Sequence, residues 1–568
     1  MRFLKRTIPM VIAMSTLLAC TPLESSTIDS SNSTPPTSES IPSESTSTSD
    51  DLLYKQVHIP QVPSGTNLYQ AATLSIGEEN VPLVNVKVNN THVYGYPEPN
   101  RIDAGYARVF LRGRIRFTLQ TTYDINVSTK VYPSFYNIMP THDTGARKIY
   151  FTIYEPGVYV IEPNDNPDQA IHLRVFDIEE MLDLEKVSEL YPTHNIISFG
   201  PGTYSQQNSP LIDSNNFIHL SSNDLLYIDE GAIVNARIKG NHVSNVVIQG
   251  HGIISGASFS RTQTLVPIDF IQSNQISINN VSILDPAAWT LNLYFVSDSE
   301  VNNVSIISSR ANGDGVTIQS GKNIIVDNVF VRGFDDTFVV KNYAYPYGNK
   351  DRSTHGSTDN ITFRNSYLWV DLAQAMEIGY ETAGPHIDNV TFENITVFHA
   401  FHKPVISIHN SNYADLHNIT YKNITVEHLA TGQGDAGSND ELIDIKSTIS
   451  TTFGDKAVGP TEIGNVYNLD IVDVLVKRKA NGNNAKITLH GQKDNRIDYL
   501  NRLSVVDGVL LEKITIGSQN IDRNYTYLNI NQYVSNLSVV SGTASGHVIT
   551  RQFSSETLNL YHDPIQYL

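Results

Sequence analysis

The single cysteine of this 568-residue chain, Cys20, excludes any internal disulfide, so the fold is held by packing and hydrogen bonds. Basic residues are scarce. The 39 Lys and Arg stand against 58 Asp and Glu, a formal net charge of −19. A surface of that sign speaks against nucleic acid and against an anionic membrane face as partners. It speaks only weakly against a polyanionic substrate, because a local basic cleft can override the mean. A long apolar run is also missing at the start. TIPMVIAMSTLLA is too short to span a bilayer comfortably. What is present is length, more than one ordinary domain needs, with abundant Asn, Ser, Thr, Val and Ile and enough apolar material for a large core.

The N-terminus reads as an address. MRFLKR supplies positive charge, the short apolar run follows, and Leu17-Leu18-Ala19-Cys20 closes it, the layout of a secretory signal over residues 1–20. The last four residues resemble a bacterial lipobox, which implies a lipidated Cys20 and an exported lipoprotein held at the cell surface by acyl chains alone. The alternative is a plain signal with an incidental cysteine. Residues 21–52, mostly Ser, Thr, Pro and acidic, cannot bury enough apolar surface to offset chain entropy and read as a tether.

Two bodies follow. Over 53–189 the pattern alternates with period two. RIRFTLQT places Ile115, Phe117 and Leu119 on one face, and KIYFTIYEPGVYVIEPN carries a turn at Glu155-Pro156-Gly157, together predicting an antiparallel β-sandwich. The segment 177–190 is the best helix candidate and reads as a connector. Over 190–568, segments such as NQISINNVSILD, KNIIVDNVFVRG, DNVTFENITVFH and HNITYKNITVEH recur at intervals from the low twenties to the thirties. Repetition at that period with β-branched alternation predicts a right-handed parallel β-helix, with Asn at corners where it tolerates a left-handed backbone and stacks in amide ladders. A β-propeller, the alternative, needs longer blades without such Asn corners.

RGFDDTFVVKN, residues 332–342, sets Asp335 and Asp336 side by side, and ANGDGVTI upstream places Asp314 between two glycines. The 21 residues from Asp314 to Asp335 are close to one solenoid coil, which predicts all three carboxylates on neighbouring strands about 4.8 Å apart. Crowded carboxylates repel, raise one another's proton affinity and titrate together. Glycoside hydrolysis needs such a set: one carboxyl keeps a proton for the leaving oxygen and another activates water. The plain alternatives are a glycine turn, a solvated corner or a calcium site. Consecutive strand residues face opposite ways, so a bulge or corner must turn both Asp335 and Asp336 to one side.

At these residues the chain resembles the β-helical glycosidases, namely the polygalacturonases of glycoside hydrolase family 28 and the dextranases and isopullulanases of family 49. The resemblance spans about 190–450. Asn312-Gly313-Asp314 looks like the first element of the polygalacturonase pattern and Asp335-Asp336 like the second. It implies Asp335 as general acid, Asp314 and Asp336 as the pair holding the nucleophilic water, and inversion at the anomeric carbon. LAQAMEIGYET (372–382) lacks the family 28 histidine, and KPVISIHN (403–410) lacks the basic strand residues that grip a galacturonate. FDDTFVVKN with Lys341, the Trp369 segment and a preceding sandwich are similar to the dextranase pattern. The resemblance therefore implies a neutral α-glucan of dextran type as substrate, with pectin or another uronan as alternative and no cofactor.

By position, Lys341, Glu377 and Tyr380 are candidates to hydrogen-bond sugar hydroxyls, or else are ordinary surface. Trp289 and Trp369 are sugar platforms or packed solenoid residues. His355, His386, His399, His402 and His409 make no zinc-type pair with matching carboxylates, so no metal is expected. A calcium-dependent lyase would need an Arg base, and no Arg is expected beside the three acids. A non-enzymatic carbohydrate-binding solenoid is the remaining class. The expected partners are a polysaccharide and, through lipid alone, a membrane, with no nucleic acid and a monomeric chain.

Overall fold

The alternating patterns make the strands expected of them. In Ile115–Thr121 the residues Ile115, Phe117 and Leu119 are buried, and the strand pairs antiparallel with Lys148–Ile153. The structure is a computed structural model describing residues 57–93, 100–261, 266–342, 352–433, 440–449, 463–494 and 502–547. The expected signal, Cys20 and the tether 21–52 lie outside the described residues. The N-terminal body is two facing sheets. One runs Glu79–Val81, Ala72–Ile76, Ile115–Thr121, Lys148–Ile153, Thr141–Asp143, and the other is built around Ile102–Leu111, Ile171–Asp177 and Gly157–Glu162. The Glu155-Pro156-Gly157 turn therefore joins strands of opposite sheets. One pairing departs from the antiparallel rule: Ile171–Asp177 runs parallel to Gly105–Leu111. Phe117 and Phe151 stack at 5.4 Å inside.

The connector is a 3₁₀ turn at Ile178–Glu180 and a short helix, Leu184–Leu190, capped by the Asp183 side chain on the Lys186 N–H. From Asn195 onward the chain coils into a parallel β-helix. Among the described residues, an 11-stranded parallel sheet from Phe217–Leu220 to Leu528–Ile530 forms one face, and a 19-stranded sheet wraps the rest. Side chains stack by register. Phe363, Phe392 and Tyr421 lie 4.9 and 4.8 Å apart with rings within 4° of parallel, each pair adding about 0.5–1.5 kcal/mol beyond burial.

The asparagines explain the sequence repeat. Asn323, Asn360 and Asn389 have φ of 53°, 58° and 53°. Their amides chain from coil to coil, Asn360 donating to Asn323 at 2.9 Å and Asn389 to Asn360 at 2.7 Å. A second ladder links Asn423, Asn394 and Asn365. Asn tolerates the left-handed bend at little cost, and its side chain satisfies its neighbour's.

The sandwich packs on the solenoid through a shared core. Val86, Val88, Tyr106 and Val160 meet Leu284, Ile307, Phe330, Trp369 and Phe401. Those solenoid residues lie on or beside the strands that run into one corner of the coil, and the acids sit on that corner.

Candidate active site

Asp335 and Asp336 occupy the turn between strands Phe330–Gly333 and Phe338–Asn342, so strand alternation does not part them. Asp314 occupies the same corner one coil earlier. Val316 pairs with Phe338, a 22-residue register, which sets Asp314 in line with Asp336 rather than Asp335. The Gly315 N–H donates to the Asp336 carbonyl at 2.9 Å. The flanking glycines are needed for close approach. A Cβ at Gly313 would lie 2.1 Å from Ser308 Oγ, and one at Gly315 would lie 2.5 Å from the Thr337 carbonyl.

Each carboxylate is held. Asp335 accepts the Asn312 N–H at 3.0 Å and the Asp336 N–H at 3.1 Å. Asp336 accepts the Gln374 N–H at 2.9 Å, from the next turn of the corner. Lys341 approaches Asp314 at 3.8 Å and Glu381 at 3.4 Å, with the Trp289 ring 4.8 Å from its ammonium. A bulge opposite Lys341, where the register slips between Val340 and Asn342, accompanies the approach of Glu381 to it. Asp314 is 2% exposed and Asp336 8%, while Asp335 is partly open to solvent.

The electrostatics follow from this crowding. Burial first, then the Asp335 charge, pushes the Asp314 carboxyl up to about 8 against the pull of Lys341. Burial together with Asp335, Asp314 and Glu377 raises Asp336 well above the usual carboxylate range. Burial also raises Asp335, opposed by Lys341 and by the two amides it accepts. Burial disfavours the Lys341 cation, but Glu381 and the three aspartates outweigh it and hold the ammonium charged. The group thus keeps at least one proton at neutral pH beside carboxylates able to take one.

Glu377 is fully buried, bonded to the Ser407 hydroxyl and to His409 Nδ1 at 2.8 Å, and not presented as ordinary surface. His409 reaches Asp444 at 3.2 Å through Nε2. Burial works against its charge, yet Glu377 and Asp444 push it up to about 9. Tyr380 lies partly exposed with its ring stacked on His409 at 4.3 Å. Trp369 is fully buried beneath the sandwich and is packing, while Trp289 is half-buried beside Ala383 and Tyr413.

Sequence reasoning missed several of these groups. Gln374 acts through its backbone, which no side-chain pattern signals. His409 was weighed only as a metal ligand, and its pairing with Glu377 and Asp444 follows from the register that aligns ISIHN with MEIGY and ELIDIKS. The expectation that no Arg adjoins the acids needs correcting. Arg261 arrives from fifty residues upstream, donating to the Asn312 side chain at 2.5 Å and the Ala311 carbonyl, and its charge acts on Asp335. It braces the turn that carries Asp314.

No protein-family model matches the chain, and no curated protein matches it by sequence. By structure it is similar to Dex49A from Penicillium minioluteum, at a TM-score of 0.54 and 14% identity over 84% of this chain and 96% of that one. The fold is that of the β-helical glycoside hydrolases. A Yersinia enterocolitica family 28 exopolygalacturonase also matches, with TM-score 0.39, 12% identity, and 76% and 98% of the two chains covered. So does the catalytic unit of a GH87 alpha-1,3-glucanase from Streptomyces thermodiastaticus, with TM-score 0.33, 11% identity, and 86% and 87% covered. At these identities the likeness is one of fold and assigns no residue a role.

Proposed function

We propose that this chain is an inverting glycoside hydrolase acting on an extracellular neutral α-glucan of dextran type, carried on an exported lipoprotein anchored through Cys20. The observation that supports it most is the corner itself: Asp314, Asp335 and Asp336 converge from two coils, share Lys341 as counter-charge, and are pushed up together. In this reading Asp335, the most open of the three, donates its proton to the departing glycosidic oxygen as the bond to the anomeric carbon breaks. Asp314 and Asp336 take a proton from the water that attacks the opposite face, and the sugar inverts. Lys341 keeps the base pair from holding too many protons, and Tyr380, partly exposed on His409, would hydrogen-bond a sugar hydroxyl.

Neutral substrate is favoured because Lys341, His409 and Lys446 are each paired with carboxylates, while Arg261 is tied to Asn312 and the Ala311 carbonyl. Lys341 faces Asp314 and Glu381, His409 faces Glu377 and Asp444, and Lys446 faces Asp444 at 2.6 Å. A uronate would meet carboxylates first.

Reducing-sugar release from dextran, pullulan, α-1,3-glucan and polygalacturonate, with product sizing, tests the substrate. Proton NMR of the first product tests inversion. Release from dextran as the inverted anomer supports the reading, and release from polygalacturonate alone replaces it with the uronan alternative. Retention of a Cys20→Ala variant in the membrane fraction would contradict the anchor.

A further inference from the structure

A buried ion pair lies three residues before the acid pair. Arg332 and Asp371 have side chains 1% and 0% exposed and meet at 3.1 and 3.3 Å. Such a pair loses its hydration and is sustained only where every remaining donor and acceptor is met. Here Arg332 stacks 3.8 Å over Trp369, whose Nε1 donates to Asp371 at 2.8 Å. The sandwich completes the set from two sides. His172, on the strand Ile171–Asp177, accepts from Arg332 through Nε2 at 3.2 Å and donates through Nδ1 to the Gly105 carbonyl at 3.1 Å. Burial and the Arg332 charge hold that ring neutral, the form with one acceptor and one donor. His92, from another sandwich loop, donates to the Asp371 carbonyl at 2.8 Å and stacks on Phe401 at 4.1 Å.

The pair leads on to the acids. The Asp371 N–H donates to the Gly333 carbonyl at 2.8 Å, tying the two successive corner turns together. One turn continues to Asp335 and Asp336, and the other to Gln374, whose N–H holds Asp336. Hydrogen bonds and two short stretches of backbone, 333–335 and 371–374, therefore link the sandwich backbone to the turn that presents the acids.

We propose that the sandwich is a working part of the active site, in which His172, Arg332, Asp371 and His92 are positioning residues that fix the two corner turns aiming Asp335 and Asp336. This rests on the hydrolase reading above. Loosening a turn by an ångström costs rate rather than binding, since the acids act on the reacting bond and not on distant sugar units.

The test compares full-length His172→Leu and His172→Gln with the wild type on dextran, or on whichever of the four polysaccharides the wild type cleaves fastest. His172→Leu is expected to lower kcat about tenfold or more with KM within about twofold. His172→Gln, which keeps an acceptor for Arg332, is expected to recover most of kcat. If His172→Leu does not fold, His92→Ala, which leaves the buried pair intact, carries the same expectation. An active wild type with kcat unchanged in these variants, or a loss that falls on KM, overturns the positioning role alone. A wild type that cleaves none of the four overturns the hydrolase reading and this inference with it.

Discussion

Replacing Lys341 by Met removes the cation paired with Asp314 while keeping a side chain of similar reach. The ammonium stands 3.8 Å from Asp314. At an effective dielectric of about 20, two unit charges at that distance attract by roughly 4 kcal/mol, equivalent to about three pKa units. Glu381, at 3.4 Å, shares the same ammonium and loses its partner too, so the net shift expected on the acids is about one to two units. The sign is fixed. Lys341 lowers the proton affinity of Asp314, Asp335 and Asp336, so its removal raises all three. Both limbs of the pH profile of kcat/KM then move alkaline, and activity at pH 6 falls because the base stays protonated. The assay is initial-rate sugar release between pH 4 and 10. A profile that stays in place while KM rises would mean that Lys341 only binds sugar, and a shift toward acid would refute the electrostatic account outright.

Two further predictions concern stability. The Asp314 carboxyl lies near 8 in the fold against 3.8 free. A carboxyl raised on folding contributes stability below its free value and loses it as pH climbs toward the folded one. The melting temperature should therefore fall between about pH 4 and 8, and Asp314→Asn should flatten that fall and melt a few degrees above wild type at pH 8. An unchanged slope would contradict it. His409 is raised to about 9 from 6.5, so its contribution is present below 6.5 and lost as pH rises through 9. His409→Leu leaves Glu377 and Asp444 buried without the cation between them, at a cost of about 3 kcal/mol or more. The denaturation midpoint at pH 6 reads this, and a midpoint within experimental error of wild type would count against the pairing.

The solenoid was legible because its repeat is local. Each Asn-centred unit carries its own left-handed bend and its own strand, and Asn360 and Asn389 do what their spacing predicts. The corner that holds the acids was legible from the near-coil spacing of Asp314 and Asp335, whereas the close approach that Gly313 and Gly315 permit is visible only in the structure. Register was less so. A count of 21 set Asp314 beside both Asp335 and Asp336, and the 22-residue coil puts it in line with Asp336. Contacts between distant stretches were hidden altogether. Arg332 meets His172 across 160 positions, and Arg261 meets Asn312 across 51. Neither has a spacing signal, because the chain between them folds as independent coils and strands. Trp369 illustrates the same limit, since only the docking of the sandwich distinguishes a buried packing residue from an exposed sugar platform.

The most direct measurement of the central idea is the turnover of Asp335→Asn, which keeps the side-chain shape and an acceptor for one of the two backbone N–H groups that Asp335 accepts, but has no acidic proton to give. With circular dichroism and melting unchanged, sugar release should drop by about a hundredfold to ten-thousandfold. Turnover equal to wild type in that folded variant would show that the corner acids do not perform the reaction.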